Sequence, residues 1–238
     1  MPDKRLTFIK HLEELRLRII KSIAFVVICS VFIYARIDEI LLFLARPIGK
    51  LIFIAPQEAF VANLSIAFFG GLFFASPFVV YQVWQFISLG LREGERKYVL
   101  IFGCFSFVLF IVGCLFGYFI IIPIGIKFLM GSAPDFITPM ITISNYISFL
   151  GILTFLFGLV FQLPLAIVFL ARIGVVNPSS LSAKRKEVIV IIFIVAAILT
   201  PPDVFTQVFM AVPLIILYEL GILLSRLVKS DRKMELLS

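Results

Sequence analysis

The stretch "VIVIIFIVAAILTPPDVFTQVFMAVPLIILY", residues 188–218, decides the fold. It is apolar on both sides of a Thr-Pro-Pro-Asp break at residues 200–203. The 13 residues at 188–200 rise only about 20 Å as helix, at about 1.5 Å each. A bilayer core of ~30 Å takes about 20 residues to cross. The stretch is therefore either two short spans joined by an outer turn, across a locally thinned bilayer, or one re-entrant hairpin. The rest of the chain favours one of these.

Of 238 residues, 62% are hydrophobic and 28 are Phe, while only 15% are charged. Soluble domains carry roughly a quarter charged residues. The composition predicts an all-α integral membrane protein, read as one membrane domain over residues 1–238. Six apolar blocks stand out at about 19–35, 61–86, 98–122, 146–171, 188–200 and 204–224. Alternate flanking segments hold 17 Lys and Arg in one set and 4 in the other. That asymmetry predicts six transmembrane helices, the last two short, with both termini cytoplasmic. The N-terminal cytoplasmic segment covers about 1–18 and the tail about 225–238, and Pro201, Pro202 and Asp203 fall on the outer face. The first block follows a basic N-terminus without a small-residue cleavage site and is read as a retained anchor.

The segments at 37–60 and 123–145 are too broken to span and too apolar to float free, which predicts interfacial caps. The net charge of +7 sits at block ends, not on one amphipathic face, so nucleic acid is excluded as a partner and membrane lipid is expected. Cys29, Cys104 and Cys114 fit no ligand or redox spacing and are expected to be buried, inert thiols. "GCLFG" at residues 113–117 matches a small-xxx-small pattern, best explained by helix packing within the chain.

Catalytic chemistry has little to stand on. The single histidine, His11, forms no metal motif and reads as an interfacial polar residue; no nucleophile elbow or phosphate loop occurs. No cofactor or metal is expected. In "KHLEELRLR", residues 10–18, helical spacing pairs Glu13 with Arg16 and Glu14 with Arg18. In "LREGERKYV", residues 91–99, Arg96 and Lys97 suffice to anchor the turn, which leaves Glu93 and Glu95 without a topological task. Within the membrane, Asn145, Gln162 and Glu219 are the costly polar residues. Gln162 lies two residues before Pro164, whose ring displaces a carbonyl hydrogen bond, and the amide is placed to satisfy freed backbone. Thr200, Pro201 and Asp203 read as N-cap, N1 and N3 of a helix start.

Five ordered motifs then carry a resemblance that runs almost end to end. They are "HLEELRLR" from residue 11, "ASPFVVYQVWQFI" from residue 75, "GERKY" from residue 94, "FGLVFQLPLAI" from residue 157, and "LTPPDVFTQ" from residue 199. The chain resembles the TatC family, the polytopic subunit of the twin-arginine protein translocase. The resemblance implies a non-enzymatic receptor in the cell inner membrane. It would bind Arg-Arg signal peptides at its cytoplasmic face. With TatA-type and TatB-type single-span partners, in a multi-subunit complex, it would pass folded proteins across using the proton-motive force.

Carried over by motif, Glu14 and Glu95 are the acids that receive the two arginines, with Trp84 and Phe86 as the aromatic rim beside them. Arg16 belongs to the same N-terminal motif, Pro47 to the first outer loop, and Asp203 and Gln207 to the last outer turn. Gln162 stands where many members of the family carry glutamate. A guanidinium binds carboxylate through parallel hydrogen bonds that an ammonium cannot copy, so two separate acids can select two consecutive arginines. The rival readings are a small secondary transporter with a polar mid-membrane site, which should show paired broken spans in its two halves, and an intramembrane protease, for which no dyad is present.

Overall fold

The computed structural model describes residues 4–46, 51–91, 93–131, 140–199 and 204–235, with backbone alone at 4–10, 93–98, 129, 199, 205–206 and 228–235. Among these residues the chain is all helix apart from one isolated bridge. In chain order the helices are α1 (Lys4–Tyr34), α2 (Ile37–Ala45), α3 (Gln57–Leu89), α4 (Glu93–Phe116), α5 (Ile122–Gly131), α6 (Ile143–Val160), α7 (Leu163–Arg172), α8 (Pro178–Ala183), α9 (Arg185–Leu199) and α10 (Val204–Glu235).

Five segments are long and apolar enough to cross a membrane: His11–Tyr34, Gln57–Leu89, Val99–Phe128, Ile143–Arg172 and Gln207–Leu227. The remaining apolar helix, α9, has 15 residues, a rise of about 22 Å. It is the short apolar helix that residues 188–200 lead one to expect. The sixth block behaves differently from its apolar length, because α10 continues for 32 residues into the charged tail. Glu219 does not end it, since that side chain turns outward to an arginine. The capping residues Thr200, Pro201, Pro202 and Asp203 lie outside the described residues, as does Pro47; α10 begins at the next residue, Val204.

The chain divides into two compact units, Met1–Phe107 with Asp135–Phe155, and Val108–Pro134 with Leu156–Ser238. Both α4 and α6 run through the division. In the first unit, α1 lies along α3 as its principal neighbour. Their closest approach is at Gly71, where an added Cβ would fall 2.6 Å from the Ser30 amide nitrogen and 2.7 Å from its Cα. Without water to drive apolar faces together, helices in lipid associate by such close packing. The Ser30 hydroxyl meanwhile donates within α1, to the Val26 carbonyl at 2.9 Å.

The two expected caps meet in this unit. Ile52 N donates to the Ile141 carbonyl at 3.2 Å and Ile143 N to the Ile52 carbonyl at 2.9 Å. Tyr146 Oη, in α6, donates to the Leu44 carbonyl at the end of α2 at 2.8 Å. Helix α2 has no buried residue, as an interfacial helix in lipid would.

In the second unit the "GCLFG" segment packs internally. An added Cβ at Gly113 would fall 2.9 Å from the Phe157 carbonyl carbon and 2.9 Å from Phe161 Cβ, so α4 and α6 cross there backbone to side chain. The third block does not stop at residue 122. A π-helical turn at Gly117–Ile121 carries α4 into α5, with the Ile122 amide donating to the Gly117 carbonyl. Pro123 follows directly; its ring would crowd the carbonyl four residues back, and the wider turn accommodates it.

The cysteines correct one expectation. Cys114 is buried, but Cys29 is half-buried and Cys104 is exposed. In a membrane protein an apolar block faces lipid as readily as protein, so residence in such a block does not imply burial.

Candidate functional site

The N-terminal motif and the end of α3 come together. Residues 11, 14 and 18 recur at helical spacing and face α3. His11 stacks on Phe86 with ring centroids 4.5 Å apart. Glu14 Oε1 lies 2.6 Å from Arg18 Nη2, and Arg18 Nη1 donates to Gln82 Oε1 at 3.0 Å. Gln82 is buried in α3. A buried amide in a helix that is otherwise nearly all apolar is explained by this bond, which satisfies both groups. The site is thus built from two turns of α1 and one turn of α3, held in register by the Gly71 crossing.

Of the residues the sequence singles out, Glu14 and Phe86 lie in this cluster. Trp84 does not form an exposed rim. It is buried, stacked on Phe102 of α4 at 5.6 Å, and lines a groove of about 700 Å³ with Pro77, Tyr81, Ser88 and Gly103. Arg16 is exposed and away from the cluster. Among the described residues no ion pair joins it to Glu13; only the Glu14–Arg18 half of the expected pairing is present. The Glu95 side chain lies outside the described residues, although its backbone belongs to the first turn of α4.

Two residues of the cluster escaped the sequence reading in their roles, His11 and Gln82, and so did the bond from Arg18 to Gln82. The available signal was Gln82 itself, a costly polar residue within an apolar block and inside a quoted motif.

The other singled-out polar residues lie away from this cluster. Gln207 Nε2 donates to the Phe193 carbonyl at 3.1 Å, tying α10 to α9. Glu219 takes a two-point contact from Arg185, Nε at 2.7 Å and Nη2 at 2.8 Å. Asn145 is exposed near the start of α6. Among the described residues no group of His, Cys, Asp or Glu is placed to hold a metal ion.

Gln162 sits where α6 breaks into α7. Its backbone amide donates to the Leu159 carbonyl at 3.0 Å instead of continuing the helix, and its side-chain Nε2 reaches the Gly158 carbonyl at 3.5 Å. That replaces the bond the break removes. Gln162→Leu is expected to lower stability in detergent by about 1–3 kcal/mol, the cost of an unsatisfied polar group away from water. Gln162→Glu, protonated in this setting, is expected to retain it. Thermal unfolding of the two variants checks this, and an unchanged midpoint for the leucine variant would make Gln162 filler.

The chain as a whole is similar to known proteins. The family model described as Sec-independent protein translocase protein (TatC) matches residues 10–213. A Sec-independent protein translocase protein TatC from Carboxydothermus hydrogenoformans is 40% identical over 234 residues, 96% of each chain. The protein of that name from Aquifex aeolicus is 38% identical over 232 residues, 94% of this chain and 96% of its own. Among solved structures, a crystal structure of the twin arginine translocase receptor TatC is similar with a TM-score of 0.83 at 38% identity, covering 92% of this chain and 99% of that one. A second, in DDM, has a TM-score of 0.84 at 37% identity, covering 90% and 99%.

Proposed function

We infer that this chain, which belongs to the TatC family of Sec-independent protein translocase proteins and is a multi-pass, non-enzymatic subunit of that translocase, is its receptor for signal peptides bearing two adjacent arginines. The observation that carries the reading is Glu14. It is an acid near the start of the apolar segment His11–Tyr34 of α1, held by Arg18, which Gln82 holds in turn, with its side chain still 36% exposed. An anion held in a defined orientation at the edge of an apolar bundle suits a planar cation followed by an apolar segment. Glu95, in the first turn of α4, supplies the second acid. His11 and Phe86 supply stacked rings on the same two helices as Glu14, Trp84 backs the aromatic end of α3 from its buried position, and Arg16 belongs to the surrounding charge pattern.

The cytoplasmic face of the inner membrane is the side for this site, with both termini cytoplasmic, since 17 of 21 Lys and Arg flank the membrane there. Cysteines placed at Met140 and at Asp203 are expected to react with an impermeant reagent from outside, and one at Ser180 only from inside. Labelling of position 203 solely from inside would establish the re-entrant alternative.

TatA-type and TatB-type single-span subunits are the partners, in a multi-subunit complex that carries folded proteins on the proton-motive force. Pro47, Pro201, Pro202 and Asp203 are the outer-face residues for that assembly, and Gln207 ties α10 to α9 beside the last three.

The reading is tested by titrating the detergent-solubilised protein with a signal peptide containing Arg-Arg and with its Lys-Lys counterpart. Binding of the first, with the second weaker by at least roughly tenfold, is expected from the loss of charge-assisted, two-point contacts. Equal affinities would refute arginine recognition.

A further inference from the structure

Glu14 is not an open carboxylate waiting for a ligand. Its Oε1 is already held by Arg18 at 2.6 Å. Arg18 is in turn fixed on a second helix by Gln82 at 3.0 Å. The Arg18 side chain is only 16% exposed, and its Nε has no hydrogen-bond partner among the described residues. This geometry bears on what happens when another guanidinium arrives.

Two outcomes are open in principle: exchange, in which the incoming arginine displaces Arg18, or sharing. Exchange would leave Arg18 as a largely buried cation with one amide oxygen and an already unpaired Nε. Removing one partner of a buried ion pair is the costly step, because the remaining charge stays desolvated. Sharing costs less. A carboxylate has two oxygens and about four acceptor positions, and Arg18 uses one oxygen. The other remains as an acceptor on a side chain that is still 36% exposed.

We propose that Arg18 is a positioning residue for the signal peptide: it clamps Glu14 through Oε1, fixes the carboxylate plane against α3, and leaves Oε2 to an incoming guanidinium. One carboxylate then serves two arginines, a resident one and a guest. The proposal rests on the receptor reading and extends it to specificity.

With Arg18 bound, the local charge of the pair is cancelled, so a cation gains little from simple attraction. Either guest cation meets the repulsion of Arg18, and an ammonium, a compact point charge, has no planar fork with which to offset it. A guanidinium gains the hydrogen bonds that a fixed carboxylate plane offers. Arg18 thus penalises the wrong cation as well as orienting the right one.

The test uses the full-length protein in detergent, titrated with the Arg-Arg and Lys-Lys peptides, with the binding-competent fraction read from the titration end point. Wild type should prefer Arg-Arg, and Glu14→Gln should lose most of that binding. Arg18→Gln should weaken Arg-Arg binding roughly tenfold, the size of one charge-assisted hydrogen bond, and shrink the preference over Lys-Lys by a similar factor. Arg18→Lys restores the charge but not the fork that joins Glu14 to Gln82, so it should recover less than half of the preference on a logarithmic scale. A merely structural role would lower the competent fraction and leave the preference of the remaining molecules unchanged. Tighter Arg-Arg binding by Arg18→Gln would show a competitor, and an unchanged preference in both variants would show a bystander; either overturns the proposal. If wild type fails to bind Arg-Arg, or Glu14→Gln binds as well as wild type, the receptor reading falls and this inference with it.

Discussion

Gly71→Val is expected to abolish twin-arginine peptide binding although residue 71 lies about 16 Å along α3 from Gln82. A Cβ there would meet the Ser30 amide nitrogen at 2.6 Å and its Cα at 2.7 Å. Those are backbone atoms, which cannot swing aside as a side-chain tip can. At the neighbouring Gly70 an added Cβ would fall 2.9 Å from Ile33 Cγ2, so the crossing is tight on that side too. Relief requires α1 to move off α3. Because the first span has none of its residues buried, little else in its own unit would hold it in place.

The cost of such overpacking is about 1–3 kcal/mol, occasionally more. The site depends on the crossing being kept, since His11–Phe86, Glu14–Arg18 and Arg18–Gln82 all bridge or brace the same two helices. Thermal unfolding and peptide titration of the same preparation check the prediction. A valine variant with wild-type midpoint and affinity would show that the α1–α3 approach is not needed.

The second large effect is at the two acids. Glu14→Gln and Glu95→Gln are each expected to weaken Arg-Arg peptide binding by tenfold to a hundredfold, from about 1.5–3 kcal/mol per charge-assisted contact. The effect should shrink as salt rises if the contact is wet. Glutamine is the informative replacement at position 14 because it keeps an oxygen for Arg18. Glu14→Ala would also strip a mostly buried guanidinium of its counter-ion, adding instability to the loss of the ligand contact. Arg96→Ala serves as the control and should change affinity less than either. Undiminished binding in both glutamine variants would sink the assignment of these acids.

The membrane class, the helical content and the positions of the spans were legible because lipid imposes them. A segment that crosses a hydrocarbon core must be apolar and must satisfy its own backbone, so composition and block length report it directly. The shortness of α9 followed from counting residues 188–200. The internal packing role of Gly113 followed from small-residue spacing. The Glu14–Arg18 pair followed from i,i+4 geometry within one helix.

What could not be read was which helix faces which. Arg18 and Gln82 are 64 residues apart, and nothing in either segment names the other. The Glu13–Arg16 pair was equally allowed by spacing and is absent among the described residues, because packing on α3 selects the face carrying residues 11, 14 and 18 and leaves residues 13 and 16 outside. Trp84 looked like a rim residue from its motif and is buried instead, since the face of α3 that it occupies is covered by Phe102 of α4. Cys104 lay in an apolar block and proved exposed, because lipid-facing and protein-facing positions have the same composition.

The sequence by itself therefore determined that this is a multi-span helical membrane protein of the TatC family, with acids and aromatics waiting at the ends of its spans. The tertiary structure alone decided that Glu14 is clamped by Arg18, that Gln82 anchors the clamp, and that Gly71 keeps the two helices close enough for it. The physical reason is range. Hydropathy and helical periodicity act over one turn or one span and leave their record in adjacent residues, whereas a hydrogen bond between helices depends on crossing geometry set by small residues far from the bond itself.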